Sequence, residues 1–196
     1  MHYCQRCDDP IVMAPRGDLA VCPDCGAAEP ARRLPLFVVT GASGSGKTAV
    51  FPHLVAELPD CLVFDADWLI GPFERACEFG EVDWPAFRDA WLSFAHGAAQ
   101  SGRHTVLLAP FMPAQLDDLP GRRWVGELHF AVLDCADDVR TARLAARPRW
   151  RERAIERHLG FAAHLRGGVG AIVRTDDGTP AESARRVADW VRSRIS

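Results

Sequence analysis

Leu36-Phe37-Val38-Val39-Thr40-Gly41-Ala42-Ser43-Gly44-Ser45-Gly46-Lys47-Thr48 decides the fold class. A short apolar, β-branched run leads into a stretch that fits G-x-x-x-x-G-K-[ST] at every fixed position, and a helical pattern opens behind it. Strand, loop and helix in that order give the motif its mechanism. Glycines admit positive φ and let the backbone approach an anion. Successive N–H groups and the helix N-terminus then face phosphate oxygens. Lys47 brings a mobile ammonium to the β- and γ-phosphates, and the Thr48 hydroxyl offers a ligand to Mg²⁺. Gly41, Ser43, Gly44, Ser45, Gly46, Lys47 and Thr48 are therefore the expected nucleotide contacts.

Composition sharpens the reading. The chain holds 23 basic residues, of which 22 are arginines and one, Lys47, is a lysine. Drift towards arginine explains the scarcity of lysine but not its one location. A compact, flexible ammonium and a planar guanidinium are not equivalent beside a phosphate.

Outward from the loop, short apolar runs alternate with helical stretches, which predicts βαβ units and a parallel sheet. Five strands are expected at Leu36–Thr40, Cys61–Phe64, Thr105–Ala109, Leu128–Leu133 and Ala171–Arg174. Helices are expected at about 47–57, 85–101, 137–147, 150–166 and 181–195. The last opens on Thr179-Pro180-Ala181-Glu182, a capping threonine, a first-turn proline and a glutamate three residues after the cap. Ala184, Val187, Ala188, Val191 and Ile195 recur behind it at helical spacing. The fold class expected is an α/β phosphate-loop nucleotide-binding fold, with a five-stranded parallel sheet flanked by helices and a small metal-bound unit before it.

Three features select among proteins that share such a loop. Asp65 and Asp67 follow the second strand, at the strand end where α/β ligand sites form; one carboxylate there can accept from an acceptor hydroxyl while its neighbour helps hold Mg²⁺. The third strand, if it lies beside the first, ends in Ala109-Pro110 where motor ATPases place an aspartate. No N-K-x-D guanine-reading motif exists, since Lys47 is the sole lysine. Arg140, Arg143 and Arg147 fall at i, i+3 and i+7, and Arg149, Arg151, Arg153 and Arg157 follow. A mobile arginine lid would cover the phosphates and exclude water; the plain alternative is a solvated face paired with Glu152 and Glu156.

On these residues, 36–195 resembles the small P-loop kinases of nucleosides, nucleotides and small metabolites, a group that includes gluconate, shikimate and adenylylsulfate kinases and chloramphenicol phosphotransferase. Phe64-Asp65-Ala66-Asp67 is similar to the D-G-D element of adenylylsulfate kinases, and Arg143-Leu144-Ala145-Ala146-Arg147-Pro148 to their lid helix. The resemblance implies that Asp67 orients or deprotonates the acceptor hydroxyl and that Asp65 supports Mg²⁺. It implies that Arg143 and Arg147 close over ATP and that Thr175-Asp176 borders adenine. The acceptor-reading motif of any single member is missing.

Residues 71–100 are expected to stand over the aspartate pair. They carry Phe73, Arg75, Phe79, Trp84, Phe87, Arg88, Trp91 and Phe94. Such a mixture suits a ring-bearing acceptor, and Arg75 and Arg88 are the candidate contacts to it; the same aromatics could instead form a hairpin's own core.

Residues 1–33 differ in kind from 34–196, and we expect a boundary there. Cys4-x-x-Cys7 and Cys22-x-x-Cys25 match a closed structural zinc site and resemble a zinc ribbon. No thioredoxin-like context surrounds them to favour a redox pair. The ribbon carries Arg6, Arg16, Arg32 and Arg33 against Asp8, Asp9, Asp18, Asp24 and Glu29, so nucleic acid is a less natural partner than a protein or the fold itself. Cys61, Cys77 and Cys135 read as buried small hydrophobes.

The formal net charge of −3 gives no global field for nucleic acid or lipid. No apolar run reaches membrane-spanning length and no secretory pattern opens the chain, so the expected setting is the reducing cytoplasm. The leading expectation is an ATP- and Mg²⁺-dependent kinase of a small hydroxyl- or phosphate-bearing acceptor, nucleoside-like metabolites favoured. A nucleic-acid 5′-end kinase, or a nucleotide-dependent interaction module without turnover, are the alternatives.

Overall fold

The computed structural model describes residues 2–76, 81–148 and 154–195. Cys77, Phe79, Arg149, Arg151, Glu152 and Arg153 lie outside that set. Three short strands, β1 (Ala14–Arg16), β2 (Leu19–Val21) and β3 (Ala28–Pro30), form an antiparallel meander before the main domain. The core strands are β4 (Leu36–Thr40), β5 (Cys61–Asp65), β6 (His104–Leu108), β7 (Leu128–Asp134) and β8 (Ala171–Arg174). They form one five-stranded parallel sheet in the order β5-β6-β4-β7-β8. The helices are α1 (Lys47–Glu57), α2 (Ile70–Ala76), α3 (Trp84–Gln100), α4 (Asp137–Ala145), α5 (Ile155–Gly168) and α6 (Pro180–Ile195).

The central strand shows why its sequence is apolar throughout. Phe37 and Val39 face α1 and α6, where they join Val50, Leu54, Ala184, Val187, Ala188 and Val191. Leu36 and Val38 face the other way, into a core built on Phe87, Trp91 and Leu92 of α3. A strand covered on both faces has no solvated side to alternate with. β4 lies between β6 and β7, so the third core strand does sit beside the first. Just past its end lies Ala109, which is buried and donates its N–H to Val39 O at 3.2 Å. No carboxylate occupies that place next to the phosphate loop.

Sequence and structure agree on every core strand to within one residue at each end. Helix α4 stops at Ala145, before the expected 147, and the start expected for α5 at 150 falls outside the described residues. The 3₁₀ turn at Ala66–Leu69 and helix α2 were not anticipated. Both are short and carry no full amphipathic period to announce them.

Gly17 turns the ribbon hairpin at φ +60 and Gly26 closes the Cys22–Cys25 knuckle at φ +70, its N–H on Cys22 O at 3.1 Å. The ribbon packs on the α/β core. Trp124, 4% exposed, shares one cluster with Cys4, Met13, Ala20, Cys22 and Ala31. His2 Nε2 lies 2.8 Å from His96 Nε2 of α3, and Gln100 bonds both the N–H and the carbonyl of Arg32.

Candidate functional site

The phosphate loop joins β4 to α1 and is shaped by two glycines that only glycine geometry allows. Gly44 sits at φ +82 and Gly46, the N-cap of α1, at φ +99. A Cβ on Gly44 would come 3.2 Å from Arg140 Cγ, so the loop lies directly on α4. The cleft above it has a volume of about 490 Å³. Ser43 to Val50, Asp67, Arg143, Arg147, Thr175 and Pro180 line it. Of the residues singled out from sequence, it gathers Ser43, Gly44, Ser45, Gly46, Lys47 and Thr48 with Asp67, Arg143, Arg147 and Thr175. Gly41 lies at the back, where a Cβ would meet Leu133 O at 2.6 Å.

Lys47 folds back on the loop that precedes it. Its Nζ donates to the carbonyls of Gly41 and Ala42, the latter at 3.4 Å. Burial pulls its pKa down to about 8, against the upward pull of Asp67 and then Asp65. Desolvation is the largest effect and outweighs both carboxylates. A triphosphate would supply the charge the site lacks.

Asp65 ends β5 and caps the following 3₁₀ turn, its Oδ1 accepting from Asp67 N–H at 3.1 Å. That bond turns the next carboxylate, Asp67, into the cleft. The chain thus places one aspartate as a fixed backbone cap and the other as an exposed group facing the loop. Arg143 spans the cleft wall: Nη1 donates to Gly44 O at 3.2 Å and Thr175 Oγ1 at 3.0 Å, and Nη2 to Thr175 O at 2.9 Å. Arg147 lines the cleft just past the end of α4.

Arg140 separates from the arginine row it belongs to in sequence. It is wholly buried and pairs with Asp134 at 2.5 Å. Asp134, at the end of β7, also receives Arg166 at 2.8 Å and Arg174 at 3.3 Å. None of these pairings was foreseen, since they join residues of α4, α5 and β8 that no local pattern connects. Asp176 accepts from the Ala136 N–H and from Arg174, both at 2.6 Å, and is not among the cleft-lining groups.

The two arginines expected near the acceptor also lie away from the cleft lining. Arg75 is exposed on α2. Arg88, on α3, stands 5.7 Å from the Phe111 ring centroid, and burial lowers its pKa. Among the aromatics, Phe87 and Trp91 are core residues, whereas Trp84, Phe94 and Trp68, the residue after Asp67, are about half exposed.

The four ribbon cysteines converge. All four Sγ atoms lie within 4.8 Å of one another. Cys4 and Cys25 are 3.6 Å apart, Cys7 and Cys22 3.8 Å. A tetrahedron of sulfurs about 2.3 Å from a central zinc has edges of about 3.8 Å, so the donor set fits that ion. The Arg6 amide holds the Cys4 thiol down at about 7, while contacts with Cys25 and Cys4 push Cys7 up. Four thiolates this close need a cation to ionise together.

No family model matches the chain, and no curated protein matches it. Solved structures do. The tunicamycin resistance protein of Deinococcus radiodurans matches with a TM-score of 0.60 at 18% identity, over 82% of this chain and 96% of that one. A sugar kinase from Janibacter matches with a TM-score of 0.57 at 18% identity, over 85% and 97%. The APS kinase of Mycobacterium tuberculosis, solved with AMPPNP and APS, matches with a TM-score of 0.53 at 18% identity, over 84% and 99%. With its sheet order, its glycine-shaped loop and these likenesses, the chain has the P-loop kinase fold, preceded by a four-cysteine ribbon.

Proposed function

We infer that the protein is an ATP-dependent phosphotransferase acting on a small hydroxyl-bearing molecule, with a nucleoside-like or other ring-bearing metabolite favoured. The observation that carries the reading is one cleft in which a phosphate loop with its lysine faces a lone exposed aspartate across from two arginines. The structurally similar proteins, sugar, shikimate and gluconate kinases among them, support a small acceptor. Half-exposed Trp68 beside Asp67 supports a flat one.

In this reading the amides of the loop and Lys47 bind the β- and γ-phosphates. Thr48, with Asp65 supporting from the end of β5, would hold the Mg²⁺ that offsets charge on the transferring group. Asp67 accepts the hydrogen bond of the acceptor hydroxyl and takes its proton as the new P–O bond forms. Arg143 and Arg147 turn to the phosphoryl oxygens and exclude water. We assign the four cysteines to zinc as a structural site, since four sulfurs leave no position open for substrate. Cysteines free of disulfide pairing, six of them among the described residues, support a reducing cytoplasmic setting.

A screen of nucleosides, nucleotides, sugars and antibiotics for ADP release above the ATP-only rate tests the reading. It predicts at least one acceptor whose turnover falls about a hundredfold or more in Asp67→Asn with ATP affinity unchanged, the usual scale of a lost general base. Full turnover in Asp67→Asn would remove Asp67 from the chemistry.

A further inference from the structure

Five consecutive carbonyls of the phosphate loop each accept a bond from a side chain. Gly41 O and Ala42 O take Lys47, Ser43 O takes Arg140 Nη1 at 3.1 Å, Gly44 O takes Arg143 at 3.2 Å, and Ser45 O takes Thr175 Oγ1 at 2.7 Å. These donors are of two kinds. Lys47 and Arg143 line the cleft. Arg140 does not line it: the side chain is wholly buried and its other arm is held by Asp134. Thr175 reaches the cleft wall but is buried, and its single hydroxyl proton goes to Ser45 O, the shorter of its two carbonyl contacts.

We propose that Arg140, anchored by Asp134, and Thr175 are positioning residues that aim the Gly44 and Gly46 amides at the anion. In a trans peptide the C=O and the following N–H point opposite ways. Tying Ser43 O to Arg140 behind the loop therefore turns Gly44 N–H forward. Tying Ser45 O to Thr175 does the same for Gly46 N–H. Both amides belong to the residues with positive φ, which have no Cβ to shield them. Asp134 keeps the arrangement fixed, because Arg166 and Arg174 occupy its remaining lone pairs from α5 and β8. The cradle is thus set before any ligand arrives, and ligand binding need not order it.

The inference rests on the nucleotide-binding reading above, and one set of measurements separates the two. Calorimetry with inorganic tripolyphosphate is run on the wild-type chain, Arg140→Met and Thr175→Val, well below their melting temperatures. Backbone amide shifts of Gly44 and Gly46 are followed in the same titrations. Each variant is expected to bind about tenfold more weakly, the worth of one well-placed hydrogen bond to the loop. The two glycine amides should lose their displacement on anion addition. Folded variants that melt earlier yet bind tripolyphosphate like wild type, with unaltered glycine shifts, would reduce both residues to scaffold and overturn the proposal. If Arg140→Met does not fold, Thr175→Val, which keeps the side-chain shape, decides by the same criterion. A wild-type chain that binds no tripolyphosphate would overturn the nucleotide-binding reading itself, and the proposal with it.

Discussion

Lys47 concentrates the chemistry of the site. Its position was legible at once, because it is the sole lysine and stands at the one fixed position of the motif that needs an ammonium. The structure adds its poise: burial holds the pKa at about 8 in the free protein. Phosphate oxygens favour the charged form, so no proton is taken up on binding well below pH 8, and one is taken up above it. Affinity for ATP should then fall about fivefold between pH 8 and pH 9, beyond any change due to the nucleotide itself, with heat that depends on the buffer's ionisation enthalpy. Pairs of buffers in calorimetry check this, and Lys47→Ala should lose the pH step together with most of the affinity. Asp134 and Arg140 were not legible in the same way. A buried ion pair across six residues leaves no periodic trace, and Arg140 looked like one more member of an exposed arginine row.

At the scale of elements, the capping residues did what their order predicts. Thr179 Oγ1 accepts the Glu182 N–H at 3.2 Å, while Glu182 Oε2 accepts the Thr179 N–H at 2.6 Å, so both ends of the box close at the start of α6. Behind it Ala184, Val187, Ala188 and Val191 are fully buried against α1 and the sheet, and only Ile195 at the end of the stripe reaches solvent. Thr179→Ala should cost about 1 kcal/mol of unfolding free energy, read from a denaturant midpoint at constant slope. An unchanged midpoint would show that packing alone holds the end of α6. The five core strands were readable because each is a compact apolar run between polar breaks. Helix α2 and the turn after β5 were not, since Leu69, Ile70 and Phe73 pack on the core around α3 within segments too short to show a repeat.

On the scale of the whole molecule, the ribbon reads as part of the folded body. Two CxxC pairs forecast its four-cysteine cluster, and nothing in the sequence forecast where the ribbon would sit, because the contact is made by Trp124, some hundred residues downstream of Cys22 and Cys25. With Trp124 inside the same cluster as Cys4 and Cys22, the ribbon's interior is completed by the main domain. His2 against His96 and Arg32 against Gln100 fasten its edge to α3. Trp124→Ala should therefore cost about 3–5 kcal/mol and weaken metal retention along with it. Metal analysis paired with thermal melting checks the coupling. Chelation that strips about one zinc per chain without lowering the melting temperature of the α/β core would show two independent units.

The central claim is that the loop between β4 and α1 cups a triphosphate. A crystal structure with Mg²⁺ and a non-hydrolysable ATP analogue tests it most directly. The account predicts β- and γ-phosphates within hydrogen-bonding distance of the Gly44 to Thr48 amides, with Lys47 Nζ moved from Gly41 O onto a phosphate oxygen. An analogue bound elsewhere, or a loop left empty with Lys47 still on the Gly41 carbonyl, would contradict it.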